Sequence, residues 1–172
     1  MKCISPEMRA VATLIRARHT RYGTPYSAMA VGVPDGAAVE QMRHMLSSSP
    51  FGIPAGELGG QRRRDAEGVR VGTMYRFKGL EFQRVFLAGI SAGQVPHQRI
   101  EGVRRTDPDE YRRERLRARS MLFVAATRAR DELVISWNGR PSDFLPDGVE
   151  SRARGVAELL SADGPSSGSA VA

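Results

Sequence analysis

Residues Val69 to Ile90, written VRVGTMYRFKGLEFQRVFLAGI, constrain this chain most, because they set two strand-like apolar runs around one tight basic turn. The first run alternates, with Val69, Val71 and Thr73 followed by Met74, and suits a strand. The turn is Tyr75-Arg76-Phe77-Lys78-Gly79, continued by Leu80-Glu81-Phe82, and the second run is Val85 to Ile90. Two buried strands joined this way place the turn at a strand's C-terminal end, where open α/β sheets bind ligands. A turn ending in Lys-Gly offers an ammonium and bare backbone N–H groups to a phosphate. The same residues also read as a plain surface turn between core strands, and the stretch by itself leaves both readings open.

A second stretch shifts the balance. Ser120 to Ser136, SMLFVAATRARDELVIS, is an apolar helical run, then Thr127-Arg128-Ala129-Arg130, then a strand at Leu133-Val134-Ile135. With both stretches in hand, the chain resembles the superfamily 1 DNA helicases of the UvrD/Rep type. VGTMYRFKGLEFQRVFLAGI is similar to their motif V, LFVAATRARDELVIS to their motif VI, and the GQVPH at Gly93 to His97 also fits the family. The likeness covers Gly52 to Ser136 well and the first fifty residues loosely.

The resemblance implies an α/β fold, the RecA-like second domain of a P-loop NTPase. That fold is a mostly parallel sheet of four or five strands with flanking helices on both faces, lacking the Walker A domain. Residues 1–148 would form this partial C-terminal RecA-like domain, best matched over 52–136, and residues 149–172 a short helix (Arg154 to Leu160) and a disordered tail.

In the family, ATP with Mg2+ sits in a cleft between two RecA-like domains. The first cradles the phosphates and metal, and the second supplies motifs V and VI from across the cleft. Arg128 would then be the arginine finger that neutralises charge developing on the γ-phosphate, a role worth about 10³ to 10⁵ in rate. Its planar fork meets two phosphoryl oxygens at once. Glu81 matches the acidic residue that hydrogen-bonds the ribose, and Gly79 falls with it on the nucleotide side. Thr73, Tyr75 and Lys78 match positions facing single-stranded DNA. Tyr75 stands where many relatives have histidine, and a tyrosine keeps a ring for stacking. For Arg130, an ion pair with Asp131 or Glu132 competes with a ligand contact.

The remaining chain supplies context. The formal charge of +7 and a pI near 10.4 favour polyanionic partners. Nearly all the basic residues are arginine, which makes Lys78, one of only two lysines with Lys2, stand out as a compact point charge. The single Cys3 excludes an internal disulfide and any cysteine-based zinc site. No run of 18 apolar residues spans a membrane and the first residues lack a signal-peptide core, so a cytoplasmic chain without a membrane partner is expected.

Residues 8–16, MRAVATLIR, read as a buried strand followed by a basic segment in which Arg16 or Arg18 stands near the family's motif IV arginine, or simply in a surface turn. Gly23 to Gly36 reads as loop, Ala37 to Leu46 as an amphipathic helix through Val39, Met42 and Leu46, and Ser47 to Gly60 as turns. Arg62, Arg63 and Arg64 read as DNA-phosphate contacts or as a solvated charged face. Ser91 to Asp109 reads as a polar loop. Asp107 to Thr127 reads as a helix with Leu116, Ser120, Phe123 and Thr127 on one face and arginines crowding the outer ones.

Two parts of an ATPase are missing from the sequence. No G-x-x-x-x-G-K-[ST] occurs, and Asp131-Glu132 precedes its strand, so no acidic pair follows a strand as a magnesium motif requires. The expectation is therefore the C-terminal part of an ATP-dependent DNA helicase or translocase that does not hydrolyse ATP alone. Its partners would be single-stranded DNA and an N-terminal helicase domain, or a separate protein, carrying Walker A. The alternatives are a non-enzymatic single-stranded DNA-binding or accessory module, which predicts salt-dependent binding without turnover, and a folded remnant without activity.

Overall fold

The computed structural model of the chain describes residues 5–59, 67–161 and, as backbone, 169–171. Helix α1 (Pro6–Tyr22) carries proline in its first turn, where a missing N–H loses no helical bond, and stops at Gly23, whose φ of 66° lets its N–H reach the His19 carbonyl. Val11, Leu14, Ile15 and Arg18 are buried along it. Burial thus recurs every three or four residues, so the stretch expected as a strand is a helix. Arg16 and Arg18 consequently lie before the first strand, not after it.

Strand β1 (Met29–Val33) occupies the segment expected to be loop, and it is the heart of the sheet. All five residues are buried, as a strand flanked by neighbours on both edges and layers on both faces demands. Gly32 is no breaker here. A Cβ at that position would lie 2.7 Å from Leu87 and 3.3 Å from the Phe77 ring, so glycine is what lets those side chains close over β1. The expected helix follows as α2 (Gly36–Ser47), capped by Asp35, whose Oδ1 accepts the Ala38 N–H at 2.8 Å.

Strands β2 (Ala55–Glu57), β3 (Val69–Thr73), β4 (Phe82–Leu87), β5 (Ala129–Ser136) and β6 (Ser169–Val171) complete a sheet of order β2-β3-β1-β4-β5-β6. Every neighbouring pair is parallel. Val31 lies level with Val71 on one side and Phe86 on the other, and Phe86 with Val134. The strands alternate faces. Met29, Val31, Val71, Phe86 and Val134 pack under α1 and α2, while Ala30, Val85, Leu87 and Ile135 meet Phe77, Leu122 and Ala125 on the other side.

A short helix α3 (Gln98–Gly102) interrupts the expected loop, and the long expected helix is α4 (Pro108–Ala126), capped by Asp107 onto the Glu110 N–H at 2.8 Å. The face of α4 differs from the expected one. Leu116 and Phe123 are 66% and 68% exposed, while Leu122 and Ala125 are buried. The seating face is one residue, about 100°, round from the apolar stripe, and puts a leucine and a small alanine against the sheet.

The core also runs past residue 148. Helix α5 (Val156–Ser161) buries Leu159 in the α1 layer. Of the tail expected to be disordered, residues 162–168 and 172 lie outside the described residues, and Ser169–Val171 runs beside β5, filling what would otherwise be its open edge. Arg62, Arg63 and Arg64 also lie outside the described residues.

Candidate functional site

The two motif-bearing stretches meet where β4 and β5 begin. Phe82 stands level with Ala129, and its N–H donates to the Arg128 carbonyl at 2.9 Å. Glu81 and Arg128 therefore flank a single inter-strand hydrogen bond. A register shift between Phe82 and Arg84 marks an irregularity in the same place, the kind of local kink that re-aims side chains at a sheet's rim.

Arg128 sits at the C-terminal end of α4, where a cation is favoured by the helix dipole. Its Nε donates to the Val124 carbonyl at 3.1 Å and one Nη to the Thr127 hydroxyl at 3.1 Å. The guanidinium is half-buried and tethered to the helix end, without a carboxylate partner among the described residues. Arg130 is occupied instead by Asp131, through bonds of 2.8 and 2.9 Å. That hydrogen bond raises the arginine above its ordinary range, with the Glu81 charge adding a lesser push, and holds the Asp131 carboxyl below the usual range. Glu81 itself is exposed.

Glu132, one residue further, points inward to a different partner set. It is 3% exposed and receives Arg18 through Nε at 2.9 and 3.1 Å and Nη at 2.7 Å. Arg84 also binds Glu132, and its Nε donates to the Thr24 hydroxyl at 3.0 Å. The Tyr22 ring lies 5.5 Å from the Arg18 guanidinium carbon and 5.2 Å from that of Arg84. Arg18 is thus committed to a buried triad, and Arg16 to the Pro50 and Phe51 carbonyls. Sequence reasoning passed over Arg84 and offered Glu132 to Arg130, whereas Glu132 takes Arg18 and Arg84. Their signal was a charge inside an otherwise apolar strand run, in FQRVFL and DELVIS.

The remaining nominated residues lie along the segment that links β3 to β4. Thr73 ends β3 level with Val33 of β1, at the C-terminal sheet edge. A 3₁₀ turn, Met74–Phe77, then buries Met74 and Phe77 and turns Tyr75 outward, 72% exposed. Arg76 is held by Glu57 at 2.6 Å. Lys78 is exposed and has no ion pair among the described residues. Gly79 has a φ of 79°, a left-handed value that glycine takes at no steric loss, and it redirects the chain toward Glu81. The linking segment, expected to sit wholly at a strand's C-terminal end, in fact runs from that edge to the opposite one. Thr73 marks one end of it, and Glu81, next to the Phe82–Arg128 bond, the other.

A crevice of about 450 Å³ opens at the C-terminal edge, away from Arg128, between the ends of β1, β4 and β5 and the starts of α1 and α2. Among the described residues no group of three or more His, Cys, Asp or Glu side chains is placed to hold a metal. No helix among them is long and apolar enough to cross a membrane.

The model of the UvrD-like helicase C-terminal domain matches residues 53–140, which include β3, the linking segment, β4, α4 and β5. The chain belongs to that family. This UvrD-like C-terminal domain is 38% identical over 77 residues to YjcD of Bacillus subtilis, which carries the name of an ATP-dependent DNA helicase; the match covers 44% of the chain and 10% of YjcD. It is 34% identical over 100 residues to the ATP-dependent DNA helicase UvrD2 of Mycobacterium bovis, covering 51% of the chain and 13% of UvrD2. The domain therefore spans about a tenth of the length of these relatives. Its fold is that of the crystallised C-terminal domain of a possible DNA helicase from Lactobacillus plantarum, at a TM-score of 0.55 and 17% identity, over 95% of this chain and 77% of that one.

Proposed function

We propose that this UvrD-like C-terminal domain forms the second half of an ATP-dependent DNA helicase or translocase. It presents Arg128 and Glu81 to a nucleotide held by a first domain, and Thr73, Tyr75 and Lys78 to single-stranded DNA. The observation that carries the reading is the bond between the Phe82 N–H and the Arg128 carbonyl, which couples the finger position to the ribose position through the backbone. A guanidinium already tethered to its helix end needs little reordering to meet a developing phosphoryl charge, which is the form electrostatic catalysis takes. Gly79, two residues before Glu81, adds its own backbone N–H. The phosphate cradle and the magnesium ligands come from the partner domain, so the chain alone leaves ATP intact.

ATP hydrolysis by the purified chain, with and without single-stranded DNA and beside Arg128→Ala, tests this. Background turnover throughout is expected. DNA-stimulated turnover that vanishes in Arg128→Ala would overturn the half-site reading.

A second reading, a non-enzymatic single-stranded DNA-binding module, is favoured by the outward Tyr75 ring and by an exposed Lys78 that has no ion pair among the described residues. The two readings separate when a first helicase domain is supplied, because only the first predicts Arg128-dependent turnover.

A further inference from the structure

The apolar stripe that α4 turns away from the sheet has no cover among the described residues. Leu116 and Phe123 stand on it two turns apart, about 10.5 Å, and both are mostly exposed. Single exposed apolar residues are ordinary, whereas two on one face of one helix make a patch. Arg119, three residues after Leu116 and four before Phe123, lies between them on the same side. It is exposed and has no ion pair among the described residues. The other α4 arginines are engaged: Arg112 with Asp109, Arg113 with Glu110, Arg117 with Glu114 and Arg115 with Glu101. A groove of about 600 Å³ runs beside Leu116 and Arg119, between α4 and residues 144–146. Arg115 lies 5.1 Å from the centre of the Phe144 ring and ties that far wall to the helix. The same wall carries Asp143, which pairs with Arg140 at 3.7 Å, and Asp147.

Charge decides what this face accepts. A phosphate backbone gains nothing from Leu116 and meets the carboxylates Asp109, Glu110 and Glu114 along the same helix. A second copy of the chain is disfavoured, because pairing the two stripes in either direction sets one Arg119 against the other, and like charges face to face cost affinity. The chain's charge of +7 adds a long-range repulsion between copies and draws acidic partners in. A groove beside an apolar stripe takes an amphipathic helix, whose own anchors recur at i, i+3 or i+4, and i+7.

We infer that this face of α4 docks an acidic amphipathic helix of another protein. Apolar residues seven apart on that helix seat against Leu116 and Phe123, and a glutamate or aspartate between them meets Arg119. Its acidic side chains lie over α4 and not over Asp147. The inference goes beyond the nucleotide and DNA reading and needs neither.

Fluorescence anisotropy with the full chain and labelled alanine-rich peptides of about 18 residues, long enough to be helical, tests it. One peptide carries two leucines seven apart with two glutamates between them. A second has lysines in place of the glutamates, and a third has serines in place of the leucines. The glutamate peptide should bind about tenfold more tightly than either of the others. Arg119→Glu should reverse the choice between the glutamate and lysine peptides. Leu116→Ser and Phe123→Ser should each weaken the glutamate peptide about tenfold, with an unchanged circular dichroism spectrum because both side chains are exposed. Equal affinity for the glutamate and lysine peptides removes the acidic partner and overturns the inference. So does full binding by both serine variants, which places the peptide elsewhere, and so does absence of binding at about 1 mM. Sedimentation equilibrium showing a dimer that Phe123→Ser dissolves would put a second copy on this face, against the inference.

Discussion

Replacing Glu132 by glutamine would test what holds α1 to the sheet. Glutamine keeps the side chain's shape and one acceptor oxygen, so the change removes a charge and leaves no cavity. Two guanidiniums, Arg18 and Arg84, would then share a buried site with no anion, since Glu132 is the carboxylate both of them meet. Removing one partner of a buried ion pair costs about 3–5 kcal/mol, a large share of the roughly 5–15 kcal/mol that holds a domain folded. With a urea dependence of about 2 kcal/mol per molar, the unfolding midpoint should fall by about 1.5–2.5 M. Urea titration followed by circular dichroism reads this directly. Asp109→Asn serves as control, since its pair with Arg112 is exposed on both sides and should shift the midpoint by about 0.5 M or less. A shift in Glu132→Gln as small as the control's would refute the argument, because the triad would then contribute no more than a surface pair.

Gly32→Ala should destabilise by about 1–3 kcal/mol, because the new methyl overlaps Leu87 in a packed core; an unchanged thermal midpoint would mean that β1 and its cover part easily. At the Arg130–Asp131 pair the arginine's hydrogen bond lowers the carboxyl. A carboxyl depressed in the folded chain adds stability above the ordinary carboxylate range and loses it as pH falls through the lowered value. Arg130→Ala should therefore move the Asp131 titration upward in carboxyl-carbon NMR, with little change in stability because the pair is exposed. A titration that stays in place would contradict the assigned cause.

Much of the frame was legible in the sequence, for reasons that differ by element. β3 and β4 declared themselves by apolar runs around a turn, and α2 by Val39, Met42 and Leu46 at helical spacing. β1 was hidden because MAVGV is short, holds a glycine and lies between two prolines, so local signals pointed to a loop while its position in the sheet decided otherwise. α1 misled because Val11 to Ile15 is too compact a run to reveal its period, and only Arg18, buried one turn on, completes the stripe. On α4 the periodicity was right and the face wrong: Leu116 and Phe123 have the spacing of a core stripe, yet Leu122 and Ala125 make the contact. At the candidate site, the resemblance nominated Glu81 and Arg128 for one nucleotide, and the register sets the residues that follow them, Phe82 and Ala129, level on neighbouring strands. The crevice at the other edge left no sequence signal, because Glu7, Asp35, Gln94 and Asn138 come from four separate segments that only the topology gathers.

The triad also sets a timetable for the newly made chain. Arg18 and Glu132 are separated by 114 residues and Arg18 and the Leu159 carbonyl by 141. At about 5–20 residues per second of synthesis, the guanidinium waits on the order of 6–23 s for its carboxylate to be made. Throughout that wait α1 carries an apolar stripe with a full positive charge set in it. The arginine that later locks the helix down is the residue that keeps its sticky face hydrated until the last strands arrive.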